Sequence, residues 1–288
     1  MVRALRTACH FASGLALCAL LVGAQVSSSF ADEGFFIGKR PQAVRALWPS
    51  VYAFVCEGRG RVYVASAFLV KKVDLDPPET RRRARAVYYF VTAGHAIEEC
   101  KLPRKYLTAN INQPQFEPDG ITVARQPRRF RNIELVRVDD AYDLAVIKIA
   151  APASLRIGKP VRVGNACDSS LGKQVYAIGF PGVSMRRSLR DRREVKRWSK
   201  GLNIGIGRAE FRGAMAPYFA SAVDSLPGNS GGPVVDVSGK FVGVVAKGVA
   251  GRDNGFRYDV DPKDPRDWQT FIVPCYGVRR LLRQSGLE

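Results

Sequence analysis

His95 closes the segment Val91-Thr92-Ala93-Gly94-His95, Asp143 stands in Tyr142-Asp143-Leu144-Ala145-Val146, and Ser230 sits inside Gly228-Asn229-Ser230-Gly231-Gly232-Pro233. An imidazole, a carboxylate and a hydroxyl are the groups that acyl transfer requires: a base, a group that fixes the base's tautomer, and a nucleophile. Glycines around Ser230 allow a tight turn and close approach of a substrate carbonyl. The backbone N–H groups of Gly228 and Ser230 are then the expected oxyanion donors. The chain has two histidines, and His10 falls in a segment that reads as a removable export signal, so His95 has to be the base. Taken singly, a Gly-rich turn, a lone His and an Asp at a strand start are all commonplace. Their joint occurrence carries the reading.

The elements that must position these residues read as strands. Val51–Cys56, Arg61–Val70, Val87–Val91, Ile133–Val138, Leu144–Ile149, Gln174–Ile178 and Phe241–Val245 are rich in β-branched and aromatic residues, with Gly, Pro and Asp between them, an all-β signature. His95 follows one such run at the start of a short helix, and Asp143 opens another. A short helix is expected around Pro41 to Trp48. At the far end Val278, Leu281 and Leu282 fall at i, i+3 and i+4, which predicts an amphipathic C-terminal helix over about 275–285.

Arg3 and Arg6, an apolar stretch from Phe11 to about Ala24, and the small-x-small site Ser29-Phe30-Ala31 read as a signal peptide over residues 1–31, with cleavage after Ala24 as the alternative. The apolar stretch falls short of the roughly 18 residues of a spanning helix, so no membrane span is expected and the chain is read as exported, periplasmic or extracellular. Cys56, Cys100, Cys167 and Cys275 lie beyond the signal, an even number bound for an oxidising compartment, which points to two disulfides. Neither a Cys-x-x-Cys nor a second histidine outside the signal is available for the usual zinc spacing; neither metal nor cofactor is expected. The remainder suits one large β domain or two small barrels.

The formal net charge is +19, so the surface attracts anions. Lys71–Arg85 and Arg186–Lys200 concentrate charge and read as exposed loops, either simply solvated or docking polyanions. No helix-turn-helix, zinc finger or aromatic RNA-binding motif accompanies the charge, which argues against a nucleic-acid regulator.

The order His95, Asp143, Ser230 resembles that of the chymotrypsin-like (trypsin-fold) serine proteases; subtilisin-like and α/β-hydrolase enzymes use other orders. Ala65-Ser66-Ala67-Phe68-Leu69-Val70 is similar to the Gly-Ser-Gly-Phe-Leu-Ile strand of bacterial members, and Val175–Pro181 and Val242–Lys247 fit the second barrel of their HtrA-type branch. The resemblance covers about Val51 to Leu282. It implies two six-stranded antiparallel β-barrels, over about 45–150 and 160–274, and an endopeptidase acting through an acyl-enzyme on protein or peptide substrates. That branch often carries a PDZ domain, which is not expected here. The competing expectation is a catalytically silent relative that holds polyanions on its basic surface.

Several positions depart from trypsin. Asn229 replaces the Asp that pairs with a freed N-terminus, so activity is expected without zymogen cleavage. Ala246 takes the place of a Ser that supports the triad Asp, a loss worth about 1 kcal/mol that backbone N–H groups just after His95 are expected to offset. By the same resemblance Asp224, Ala246, Lys247 and Gly248 line the substrate cleft. Asp224 favours Arg or Lys at the cleavage site, whereas the Phe271-Ile272-Val273 strand favours a small apolar residue; both stay open. The resemblance also implies a Cys56–Cys100 bridge bracing the histidine loop, with Cys167 and Cys275 as the second pair.

Overall fold

Successive side chains of a strand point to opposite faces, so an apolar run with no polar alternation belongs to a strand buried on both sides. In β1 (Val51–Gly58), Val51, Ala53 and Val55 turn into one core while Tyr52 and Phe54 turn into another. The computed structural model describes residues 40–58, 61–75, 85–99, 108–112, 115–116, 123–125, 133–154, 157–164, 167, 171–181, 196–211, 214–223, 225, 227–248 and 270–288. β1 pairs antiparallel with β2 (Arg61–Asp74), β2 with β3 (Arg85–Ala93), and β4 (Thr108–Asn112) covers the other side of β1. β5 (Gln115–Phe116) and β6 (Val123–Arg125) make a separate two-stranded sheet. β7 (Glu134–Asp139) and β8 (Leu144–Pro152) complete a six-stranded sheet in the order β4-β1-β2-β3-β8-β7. β9 (Gln174–Gly179), β10 (Arg197–Phe211), β11 (Ala214–Ser221), β12 (Pro233–Asp236), β13 (Phe241–Gly248) and β14 (Thr270–Pro274) close a barrel in the order β10-β11-β14-β13-β12-β9. The mostly β architecture, two sheets and a C-terminal helix, is the expected double-barrel class.

Three layers of apolar side chains follow from that alternation. Tyr52, Phe54, Leu69, Phe90 and Ile147 fill the first sheet, Val175, Val234, Val245 and Ile272 the second barrel, and Phe68, Val91, Leu144, Ile178, Phe180 and Val244 the space between them. The inter-sheet layer also receives α1 (Gln42–Leu47) through Val44, and α3 (Cys275–Gln284) through Val278, Leu281 and Leu282. α2 (Gly94–Glu99) follows β3 directly. A Cys167–Cys275 disulfide, with Cα atoms 5.5 Å apart, fixes the start of α3. Among the described residues no helix is long and apolar enough to cross a membrane.

Of the two charged segments expected to be exposed loops, residues 76–84 and 186–195 lie outside the described residues; residues 72–75 are exposed, and the described ends belong to strands or are buried. Lys71 to Asp74 extends β2, pairing as far as Asp74↔Ala86, because the hairpin continues past its apolar part. Lys196 is 1% exposed: its Nζ donates to the Trp48 carbonyl at 2.6 Å and lies 5.1 Å and 5.5 Å from the Trp48 and Phe180 ring centroids. A long apolar stem packed against aromatic rings makes such burial tolerable. β10 and β11 have little sequence signature: Gly201, Gly205 and Gly207 interrupt the first and Pro217 the second. Pro217 is tolerated because only Phe219 to Ser221 of β11 pair with β14, leaving an edge at residue 217.

Candidate active site

The last pair of the β3–β8 ladder is Ala93↔Leu144, so the residues just past β3 and just before β8 must be neighbours. The Gly94 N–H donates to the Asp143 carbonyl at 2.8 Å. Both carboxylate oxygens of Asp143 then meet His95: Oδ1 accepts the His95 backbone N–H at 2.7 Å, and Oδ2 lies 2.5 Å from Nδ1. A Cβ on Gly94 would fall 3.0 Å from Asp143 Oδ1 and 3.2 Å from its carbonyl carbon, which explains a glycine at that corner. Asp143 has φ 51°, in the left-handed region that Asp and Asn enter more readily than other non-glycine residues. The carboxylate is fully buried while the imidazole is 30% exposed. A carboxylate facing Nδ1 keeps the proton there and leaves the basic lone pair on Nε2. The amide that supports Asp143 is thus that of His95 itself, where the sequence suggested amides just beyond it.

The turn leading to Asp143 is braced from the C-terminal helix. Asp139 Oδ1 accepts the Ala141 N–H at 3.1 Å, and Arg280 Nε lies 3.3 Å from Asp139 Oδ2. The Tyr142 ring lies edge-on to Tyr276, centroids 6.2 Å apart, and against Gly277. Burial pushes the Tyr276 hydroxyl up to about 12, with Tyr142 adding to the shift, and burial raises Tyr142 too. Both phenols therefore stay neutral at ordinary pH.

Ser230 lies in a turn wedged between the two sheets. Gly228 and Gly231 have φ of 102° and 85°, conformations that favour glycine. A Cβ on Gly231 would fall 2.2 Å from the Ser66 carbonyl oxygen and 2.7 Å from the Ala93 nitrogen, and one on Gly232 would fall 2.3 Å from the Ile178 oxygen. The turn therefore packs against the end of β3, two residues before His95. It is anchored at successive peptides: the Ser66 N–H donates to the Ser230 carbonyl at 2.8 Å, the Gly232 N–H to the Asn229 carbonyl at 2.8 Å, and the Gly231 N–H to the Val245 carbonyl at 2.7 Å. The Gly228 and Ser230 N–H groups have no acceptor among the described residues. Asn229 is buried, and its Oδ1 accepts no hydrogen bond there either.

Ala246 is fully buried on β13 at a bulge, where the register to β14 slips between Val245 and Lys247. Lys247 and Gly248 continue that strand, and Asp224 lies outside the described residues. Phe271 and Val273 turn into the inter-sheet core and Ile272 into the second barrel. Of the expected bridges, Cys167–Cys275 is present, while Cys100 lies outside the described residues; Cys56 pairs through its backbone with Tyr63 and Ala109. Sequence reasoning assigned no role to Ser66, although its strand was singled out, and missed Lys196 as a buried residue.

The profile of the trypsin-like peptidase domain matches residues 65–244, a span that includes all three candidate residues. The chain is 29% identical over 126 residues to a probable periplasmic serine endoprotease DegP-like of Halomonas elongata, covering 44% of this chain and 24% of that protein. It is 34% identical over 112 residues to the chloroplastic protease Do-like 8 of Arabidopsis thaliana, covering 38% of this chain and 22% of the relative. These matches thus span about a quarter of each relative's length. The fold is similar to that of the serine endoprotease from Yersinia pestis, with a TM-score of 0.53, 18% identity, and coverage of 85% of this chain and 65% of that one.

Proposed function

The chain belongs to the trypsin-like peptidase family, and on that premise we propose that it is an exported serine endopeptidase working through His95, Asp143 and Ser230. The observation that supports this reading most is the buried Asp143 carboxylate with both oxygens on His95, at 2.7 Å and 2.5 Å, in the corner where the Gly228–Gly232 turn packs. In this reading the Ser230 hydroxyl attacks the scissile carbonyl carbon and its proton passes to His95 Nε2. The resulting oxyanion sits on the Gly228 and Ser230 N–H groups, and Asp143 stabilises the imidazolium without taking its proton. His95 then protonates the leaving amine as the C–N bond breaks, and a water activated by the same imidazole hydrolyses the Ser230 ester.

The substrate would lie along the Ala246-Lys247-Gly248 edge of β13, with Asp224 beside the side chain at the cleavage site. Arg3 and Arg6, the apolar run after Phe11 and the Ser29-Phe30-Ala31 site support export, and similarity to proteins named as periplasmic agrees with it. The test is cleavage of a denatured protein substrate by the wild type and by Ser230→Ala, with products sized by mass spectrometry. Internal cleavage by the wild type and none by a variant of unchanged circular dichroism is expected. Cleavage that survives in the variant would overturn the proposal.

A further inference from the structure

Ser66 is fully buried on β2, and its side chain joins three segments distant in sequence. Its Oγ accepts the Phe180 N–H at 3.0 Å and donates to the Gly228 carbonyl at 2.7 Å, 162 residues away. A hydroxyl has one proton. The Gly228 carbonyl can only accept, so that proton goes to it, while the Phe180 N–H occupies a lone pair of the same oxygen. Phe180, which continues from β9, thus holds Oγ in place between the two. Thr92 Oγ1 donates to the Ser66 carbonyl at 2.8 Å, so the strand bearing Ser66 is itself tied to β3 two residues before Gly94.

Gly228 needs such an anchor. At φ 102° glycine has broad backbone freedom, so its own conformation does little to settle the plane of the following peptide. The Asn229 and Ser230 carbonyls are held by backbone donors, which no side-chain replacement removes. The Gly228 carbonyl is held by a side chain. With all three carbonyls turned into the protein, the Gly228, Asn229 and Ser230 N–H groups are all without an acceptor among the described residues, and the first and third are the pair expected to face the oxyanion.

We propose that Ser66 is a positioning residue: its hydroxyl, steadied by the Phe180 N–H, holds the Gly228 carbonyl inward and so fixes the Gly228–Asn229 peptide, the link that sets the two flanking amides, of Gly228 and Ser230, toward the oxyanion. This rests on the reading of Ser230 as nucleophile. Loss of the hydroxyl frees the Gly228–Asn229 peptide, which links the peptides carrying the Gly228 and Ser230 N–H groups, so the two donors lose their fixed spacing and spend part of their time misdirected. Acylation slows while ground-state binding along β13 is unaffected.

The test compares the full-length wild type, Ser66→Ala and Ser66→Thr, by p-nitrophenyl ester hydrolysis and by the rate and end-point of labelling with a fluorophosphonate. Ser66→Ala is expected to lower kcat and the labelling rate by about 10- to 100-fold, less than outright loss of an oxyanion donor, with KM within about two-fold and complete end-point labelling. Ser66→Thr keeps the hydroxyl and is expected to recover most of the rate. A purely structural role would lower the labelled fraction along with the rate and leave the rate constant of the folded fraction unchanged, which overturns the proposal. So does Ser66→Ala acylating at the wild-type rate, or Ser66→Thr as slow as Ser66→Ala. A folded wild type that neither hydrolyses the ester nor takes the label refutes the nucleophile reading, and this inference with it. Should Ser66→Ala not fold, Ser66→Cys carries the test: a thiol is a weak donor, so an intermediate rate is expected and a wild-type rate contradicts it.

Discussion

Asp143 accepts two hydrogen bonds from a single residue, and an amide there makes the consequence testable. Asn tolerates the left-handed backbone of position 143, so Asp143→Asn is expected to fold. Its oxygen would stay on the His95 N–H, and its NH2 would face Nδ1. That nitrogen must then carry the lone pair, which moves the proton to Nε2 and removes the base from the side facing the nucleophile. The expected result is a fall in kcat/KM of about 10⁴-fold with little change in thermal midpoint, measured by ester hydrolysis and melting. Residual activity near that of the wild type would show that the His95–Asp143 contact does not fix the tautomer. Residue types and order singled out His95, Asp143 and Ser230 as candidates, because glycine-flanked and strand-flanked motifs are local, and the His95–Asp143 contact follows from the β3–β8 ladder. The Ser66–Gly228 contact was not legible, since it joins positions 162 apart and depends on how the two sheets meet.

At the scale of elements, α3 does more than close the chain. Its inward stripe was readable from the i, i+3, i+4 spacing of Val278, Leu281 and Leu282, but its grip on the Asp143 turn was not, since Tyr142 and Gly277 give no periodic signal. A Cβ on Gly277 would meet Tyr142 Cδ1 at 2.8 Å and Val273 Cγ1 at 2.9 Å. Ala in a helix is favoured over Gly by about 1 kcal/mol, whereas overpacking costs about 1–3 kcal/mol, so the clash should win. Gly277→Ala is predicted to be less stable in urea and, because Tyr142 must move beside Asp143, to lose about ten-fold in kcat/KM. A more stable variant of full activity would mean that α3 merely covers the core. Strands β10 and β11 show the limit of local signals: their glycines and Pro217 argue against strands, and barrel closure overrides them.

For the molecule as a whole, the basic surface and the buried amine have different consequences. Burial in the aromatic cage, with the Arg40 charge adding to it, holds the Lys196 amine well below its ordinary range. The unfolded chain then binds a proton that the native state refuses, so this group makes stability rise with pH until its ordinary range near 10.5 is reached. Burial pushes Tyr52 up and gives the opposite slope above its ordinary value of 10.0, so the useful window runs from neutral pH to about 9.5. Across it the wild-type thermal midpoint is expected to gain on that of Lys196→Met, and parallel profiles would contradict the assignment.

The central claim is that both sheets meet to assemble a working nucleophile at Ser230, and active-site labelling tests it most directly. The protein and its Ser230→Ala variant would be treated with a fluorophosphonate and the adduct located by peptide mass spectrometry. One adduct per wild-type chain, on Ser230, with none in the variant is the predicted result. A folded wild type that stays unlabelled, or is labelled elsewhere, would contradict the account.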